Sequence, residues 1–466
     1  MKPHPPAPLP SSNPTSSYWL SQPDTNLQDI GRHDKIPSFA DTIIIGSGIT
    51  GALIAHELQK SVKLDQNGNT IMLEARSLCS GATGRNGGHI KPDCYKNFAR
   101  YEIQYGSEMA KKMCQFEIEN RKETIRFIKE QNLVSAAELI ETRAVDFFMD
   151  KEAWKVAKHS LARYTAAGGD FNDIMTHDQL NAEKVYRFQG AHGAVSYPAC
   201  TLWPYKLVIA LIRKAISVGL KVFTHTAALD IIPAGTQGEW LIRTGKGAIR
   251  CRRIFHATNG YLSHLLPEYA GKLVPLKGTV TAIQPNPLYL EKPLGHSAGV
   301  QWGIDFDYMI QRESDGNPLV FGGRDLAHPR GLPGVIGDAD DSVVTPEIVE
   351  ALQQFPADHM SGWDRHNAHL RYAWSGIMGF TADELPFVGP VPGKPGQYMA
   401  AGYAGHGMAR VFLTVKGLMQ AVRGETIDSR IPELYFDVKK RKDQYNEEWE
   451  DLLHKAQKAN QATEYL

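Results

Sequence analysis

The run Asp41–Glu74, DTIIIGSGITGALIAHELQKSVKLDQNGNTIMLE, decides the fold. An apolar stretch, Thr42-Ile43-Ile44-Ile45, leads straight into Gly46-Ser47-Gly48-Ile49-Thr50-Gly51. A helix-like segment follows (Ala52, Leu53, Ile54, Ala55, Leu58), and a second apolar strand, Thr70-Ile71-Met72-Leu73, ends on Glu74. Strand, glycine turn, helix, strand and acid in that order predict a βαβ unit that holds a dinucleotide. Gly46 permits the tight turn, Gly48 lets backbone approach a pyrophosphate, and Gly51 lets helix lie close to strand. The helix start offers amides and the positive end of its dipole. Glu74 is placed to accept hydrogen bonds from a ribose diol. It lies 23 residues beyond Gly51 (74 minus 51), against about 20 in the usual fingerprint. We assign the excess to a turn over Asp65-Gln66-Asn67-Gly68-Asn69. The run does not name its dinucleotide.

Outward from this unit, the chain has 466 residues, room for about two to four domains. Fifty-one basic residues balance 51 acidic ones, and the pI of 7.3 gives no basic footprint for nucleic acid. Lys439-Lys440-Arg441-Lys442 reads as solvated helix. Five scattered cysteines (Cys79, Cys94, Cys114, Cys200, Cys251) without framework spacing predict reduced, buried thiols. No apolar run approaches the roughly 18 residues that span a bilayer, so no membrane partner is expected. The first 40 residues lack a hydrophobic signal core and predict an irregular arm docked by Tyr18-Trp19. The ending Glu464-Tyr465-Leu466 is not a Ser-Lys-Leu address, and the expected location is the cytoplasm.

Helical spacing runs from Asn97 to Lys129 through Ile103, Met109, Met113, Phe116, Ile125 and Ile128. Further helices are predicted at Ala153 to Ala166, Trp203 to Val218, and Met408 to Val422. Strand-like segments are Lys221 to His225, Trp240 to Arg243, Arg253 to Ala257 and Tyr398 to Gly402. Leu276 to Gln284, Tyr308 to Gln311 and Leu319 to Gly322 predict an antiparallel sheet, and His328 to Asp341 a surface loop.

Two glycine-rich clusters narrow the ligand. After Glu74 the chain reads Ala75-Arg76-Ser77-Leu78-Cys79-Ser80-Gly81-Ala82-Thr83-Gly84-Arg85-Asn86-Gly87-Gly88-His89. Four glycines interleaved with Ser80 and Thr83 suit a loop whose amides contact a flat polar ligand. The second cluster holds Trp374-Ser375-Gly376, Thr381 to Pro390 including Asp383, and Ala401-Gly402-Tyr403-Ala404-Gly405-His406-Gly407-Met408 before a helix. A helix start there suits the electron-rich edge of a reduced flavin.

On these motifs the chain resembles the FAD-dependent amino acid and amine oxidoreductase family of D-amino acid, glycine and sarcosine oxidases. Ala82 to Gly88 is most similar to γ-glutamylputrescine oxidases and fungal relatives, which the Ser16 to Leu20 arm also resembles. Pro198 to Gly219, Ala257-Thr258-Asn259-Gly260-Tyr261 and Gly376 to Gly407 follow the family pattern. The resemblance implies an α/β fold in which a Rossmann-like FAD domain (41–100, 195–275 and 372–430) is woven with an α+β substrate domain (101–194 and 276–371). An arm (1–40) and a helical tail (431–466) flank them. It implies adenine-side contacts through the backbone at Ala228. Sarcosine oxidases tether flavin through a Cys where Gly376 stands here, and dimethylglycine oxidases through a His where Arg85 stands, which implies a non-covalent cofactor.

The implied chemistry is hydride removal from the carbon beside an amine, giving an imine, with oxygen or another acceptor taking the electrons. The cofactor set is Gly46 to Gly51, Glu74, Ala75, Arg76, Ser80, Gly81, Ala82, Thr83, Arg85 to His89, Ala228, Ala257 to Gly260, Gly376, Asp383, Gly402, and Gly405 to Met408. No metal site is expected. Candidates on the substrate face are His89, Lys277, Trp302, Tyr308, Trp374 and His406. Arg312 and Arg324 are further candidates for a substrate carboxylate. Two other readings stay open: an FAD monooxygenase using NADPH, and a flavin-binding protein without turnover.

Overall fold

A computed structural model describes residues 5–60, 69–235, 238–303 and 305–443. Of the turn expected at 65–69, residues 65–68 lie outside the described residues, as does the tail from 444 onward.

The isoleucine-rich strand Phe39–Ile45 sits inside a parallel sheet, with Ile43 and Ile44 inaccessible to water. A strand covered on both faces must be apolar without alternation, and this one is. The sheet runs Phe387–Pro390, Gln397–Ala401, Gly247–His256, Phe39–Ile45, Thr70–Leu73, Lys221–Phe223. Its first pair is antiparallel and the others along this path are parallel. Ala228–Pro233 and Trp240–Thr244 add an antiparallel hairpin beside Gly247–His256. The helix Ile49–Gln59 packs between Pro204–Ser217 and Gly407–Arg423.

The second sheet orders His369–Thr381, Leu273–Gln284, Leu319–Gly322, Asp305–Gln311, Ser297–Trp302, Ile140–Phe148, Gly193–Thr201 and His89–Ile90. Among the described residues its pairings are antiparallel except Ile140–Phe148 with Ser297–Trp302. Gly193–Thr201 and His369–Thr381 therefore belong to this second sheet, the roof, rather than to the dinucleotide domain assigned above. The segment 74–88 carries the chain from the end of one sheet to the edge of the other. Together the two sheets and their helices make the expected α/β architecture.

Three local expectations are corrected. The helix expected from Asn97 breaks at Gly106 into Phe98–Tyr105 and Ser107–Glu130, and this leaves Ile103 89% exposed. The segment His328 to Asp341 is not simply surface: Asp341 is 1% exposed and paired to Arg76. Arg441 is not solvated either. It is 5% exposed and donates Nε and Nη2 to the Asp383 carboxylate at 2.7 and 2.9 Å. The arm docks as expected, with Tyr18 and Trp19 buried against Trp203. The five cysteines are free and buried. No described helix is long and apolar enough to cross a membrane.

Candidate functional site

The strand Phe39–Ile45 ends in a turn built by Gly46 and Gly51. Gly46 takes φ +104°, where a side chain is strained. A Cβ on Gly51 would fall on the Gly46 carbonyl oxygen, so the helix can approach the turn only without one. Glu74 closes the site from the second strand. Its Oε2 accepts from Ser47 N at 3.0 Å and Ser47 Oγ at 2.6 Å, and its Oε1 from Arg76 N at 3.0 Å. Ser47 Oγ also accepts from Cys79 N at 2.9 Å, which ties the following loop to the turn. Gly48 caps the helix without a side-chain bond, and Thr83 Oγ1 accepts from Ile49 N at 3.0 Å.

Two buried hydroxyls in this region have no hydrogen-bond partner among the described residues: Ser80 Oγ and Thr258 Oγ1. An orphaned buried hydroxyl is costly and is normally satisfied by a bound group. A Cβ at Gly81 would meet nothing within 4 Å, so the loop beside Ser80 borders open space. Glycine turn, acid and orphaned hydroxyls fit a dinucleotide.

The loop 76–88 is shaped from below by a buried charge cluster. Arg76 Nη1 donates to both Asp341 oxygens at 2.9 Å and to Ser11 O at 3.1 Å. Arg85 donates Nε to Ser80 O at 2.8 Å, Nη1 to Ser375 O at 2.8 Å, and Nη2 to Thr15 O at 2.7 Å. Burial pulls its pKa down to about 10, with Asp341 opposing and Arg76 reinforcing the fall. The Arg85 guanidinium is thus spent on fastening loop, arm and roof together. Trp374 is wholly buried and donates Nε1 to Arg85 O at 2.8 Å. Asn86 folds onto its own loop, accepting from Gly88 N and donating to Thr83 O.

The later cofactor candidates gather at the same strand ends. Ala257 N donates to Ile45 O, and Asn259 Oδ1 accepts from Gly402 N at 3.0 Å. A Cβ on Gly260 would press on Met378 O, and one on Gly376 on the Arg85 Cβ at 3.1 Å. Asp383, held by Arg441, shapes the turn to Leu385, whose amide it accepts at 3.0 Å. Ala228 starts its strand at the edge of the first sheet. Gly405 precedes His406, the N-cap of Gly407–Arg423, and Met408 is buried in the first turn.

The roof brings His89 and Tyr308 together, their ring centres 5.7 Å apart. Positions for a Cβ on Gly87 lie 2.7 Å from Tyr308 and 3.4 Å from His89 Nε2, so the glycine loop lies directly beneath both. His89 Nδ1 is 2.8 Å from Ser297 Oγ. Burial, then Lys91 and His406, pull the His89 pKa down to about 3. The ring is therefore a neutral imidazole at pH 7. Tyr308 is pushed up by burial and by Asp325 and Asp307, and stays protonated.

Trp302 lies farther out, donating Nε1 to Asp307 Oδ2 at 3.0 Å and covered by Arg324. Asp307 is raised to about 7 and Asp325 to about 8, by burial first and by their mutual repulsion with Asp305 second. Lys277 is 5% exposed and paired with Asp338 at 3.2 Å, so its charge is spent. Arg312 is caged by Trp19 of the arm, Trp203 and Glu138, remote from His89 in the contacts it makes.

Two pairings escaped the sequence reading. Lys91 is enclosed 2.5 Å from Asp146, over Phe306 and Tyr197; Tyr197 also donates to Asp146. Burial lowers the Lys91 pKa and Asp146 raises it back in part. Glu117 meets Arg410 Nε at 2.6 Å and His406 Nδ1 at 3.4 Å. Burial would raise the Glu117 pKa, but Arg410 and His406 hold it down to about 2. A charge inside an otherwise apolar helical stripe was the available signal for Glu117. Lys91 gave none beyond its nearness to His89.

Comparison with known proteins agrees with this geometry. Over 383 residues the chain is 27% identical to the "Probable oxidoreductase OrdL" of Rhizobium meliloti, covering 79% of each protein. It is 22% identical to the gamma-glutamylputrescine oxidoreductase of Escherichia coli, covering 88% of this chain and 89% of that one. Among solved structures, glycine oxidase from Geobacillus kaustophilus shares the fold, with a TM-score of 0.69, 20% identity, and coverage of 86% and 98%. The model of the FAD dependent oxidoreductase (DAO) family matches residues 41–418. A dinucleotide turn, a glycine loop and an antiparallel roof thus belong to one inherited design, and this chain is a member of the FAD-dependent oxidoreductase family.

Proposed function

We propose that this protein oxidises the C–N bond of an amine or amino acid to an imine, passing hydride to a non-covalently held flavin and electrons on to oxygen or another acceptor. FAD, when bound, supplies the electron chemistry by accepting the hydride. The chain's own task is to orient the substrate, keep its nitrogen in a usable state and exclude competing reactions.

The observation that carries this reading is the placement of His89. Its neutral ring stands beside Tyr308 and directly over the Gly87-Gly88 loop. A neutral imidazole accepts a hydrogen bond from an amine without repelling it as a cation would. Tyr308, held protonated, offers an aromatic wall beside it, with its hydroxyl turned toward Gly322. No nucleophile is needed, because the bond that breaks is C–H and the electron pair leaves with the hydrogen. Gly376 and Arg85 stand where relatives place a covalent tether, and neither bears a side chain suited to one. The named relatives, for glycine and γ-glutamylputrescine, support an amine nitrogen as the common element. The free cysteines agree with a cytosolic site of action.

Anaerobic mixing with a panel of amines, amino acids and N-methyl amino acids should bleach the flavin for at least one member. Readmitted air should then regenerate colour, with peroxide if oxygen is the acceptor. Steady NADPH consumption would instead identify a monooxygenase, and a flavin that no amine reduces would leave a binding protein. Purified protein that takes up no FAD would overturn the reading.

A further inference from the structure

We propose that Glu117 is a positioning residue for the flavin site. With its carboxylate facing His406 Nδ1 at 3.4 Å, it orients that imidazole at the start of Gly407–Arg423, leaving Nε2 to take up a proton as negative charge builds on the reduced cofactor. This rests on the reading that the 402–408 loop borders the flavin.

Glu117 comes from Ser107–Glu130, an element outside the dinucleotide fold, and is 2% exposed. Its two oxygens have separate partners. Oε1 takes Arg410 Nε at 2.6 Å, while Oε2 takes the Asp93 amide at 2.6 Å and faces His406 Nδ1 at 3.4 Å. One turn on, Asn120 clamps the same neighbouring helix, donating to Met408 O at 3.3 Å and accepting from Leu413 N at 2.9 Å. The carboxylate is therefore anchored by Arg410 and the Asp93 amide, with Asn120 fixing its helix against the same neighbour, and cannot follow His406 if the ring swings.

Arg410 neutralises Glu117, so the pair adds no net charge, and what remains for the carboxylate to do is orient the ring. A carboxylate behind a histidine fixes its tautomer, putting the proton on the near nitrogen and reserving the far one. His406 keeps 32% of its side chain in solvent, so the ring is open to proton exchange. Among the described residues, Glu384, paired to Arg100, is a further charged group near His406, and His89 near it is neutral. Nδ1 belongs to Glu117.

Ring-nitrogen NMR of 15N-histidine-labelled holoenzyme, with H406Q for assignment, should show His406 as the Nδ1–H tautomer at high pH. An Nε2–H tautomer would overturn the proposal. Dye equilibration of bound FAD at pH 7 supplies a second readout that needs no substrate. Removing a negative charge by Glu117→Gln would by itself make the flavin easier to reduce. Loosening His406 makes it harder. We expect E117Q and H406Q each to raise the oxidised-to-reduced ratio about tenfold at fixed potential, with the double variant no further shifted. A shift toward the reduced form in E117Q, no shift, or effects that multiply would each sink the positioning role. Absence of bound FAD in the unaltered protein would instead sink the functional reading itself.

Discussion

Gly51 shows how one missing atom sets the cofactor turn. Its neighbours are the Gly46 backbone carbonyl, in the turn that ends the strand, and the Ile44 side chain behind it, and a carbonyl fixed at the end of a parallel strand cannot step aside. Gly51→Ala must push the helix Ile49–Gln59 off the strand, and overpacking of this kind costs about 1–3 kcal/mol. The denaturation midpoint should fall accordingly, and FAD should be lost on gel filtration. A variant that keeps both wild-type stability and its flavin would show that the turn is looser than its geometry. Gly81 is the contrasting case, since a Cβ there enters open space. Gly81→Ala should leave stability unchanged within about 0.5 kcal/mol, as surface substitutions do, and any loss of FAD it causes would report on ligand contact alone.

At the scale of elements, the arm is a structural part rather than an appendage. Ser17 Oγ donates to Gly84 O at 2.7 Å, Trp19 Nε1 to Asn86 O at 2.6 Å, and Thr15 N to Asp341 O at 2.8 Å. Each bond holds a carbonyl of the cofactor loop or of the segment behind it. Trp19→Ala removes a wholly buried indole that packs on Tyr18, Trp203 and Gly88, and such truncations cost about 3–5 kcal/mol. We expect urea unfolding to shift by that much and FAD retention to fall with it; unaltered unfolding would mean that the arm merely rests on the loop. The sequence announced Tyr18-Trp19 as a dock but not its target. Apolar strands such as Phe39–Ile45 are legible because burial on both faces dictates their composition. The dinucleotide turn is legible because all its parts fall within one local run. Long-range partners leave no such trace: Thr15 meets Asp341 326 positions away, and Glu117 meets Arg410 293 positions away. Periodicity also misled at Ile103, whose spacing matched a single long helix that Gly106 divides.

Across the whole molecule, the pH dependence of stability separates the roof from the rest. Asp307 and Asp325 titrate near 7 and 8 when folded, against 3.8 as ordinary carboxyls. The folded state therefore binds more protons than the unfolded one between pH 4 and 8. Its stability from these groups is fully present below pH 4 and drains away as pH rises toward 8. The buried histidines work in the opposite sense. His256 and His296 are lowered to about 4 by burial, so ionising them on unfolding favours the unfolded chain most at low pH. That contribution raises stability between pH 4 and 6.5 and is then complete. Glu117, Glu384 and Asp146, all depressed once their cationic partners outweigh burial, finish their effect lower still, below about pH 4.5. The roof acids act across the interval from pH 6.5 to 8. The melting temperature should fall across it, and Asp325→Asn, which cannot ionise, should flatten the fall. Asp307→Asn should act in the same direction while keeping an acceptor for Trp302 Nε1. An unchanged slope in both variants would show that the three carboxyls share their protons differently, or that solvent enters the roof far more freely than the packing of Trp302 and Arg324 over Asp307 allows.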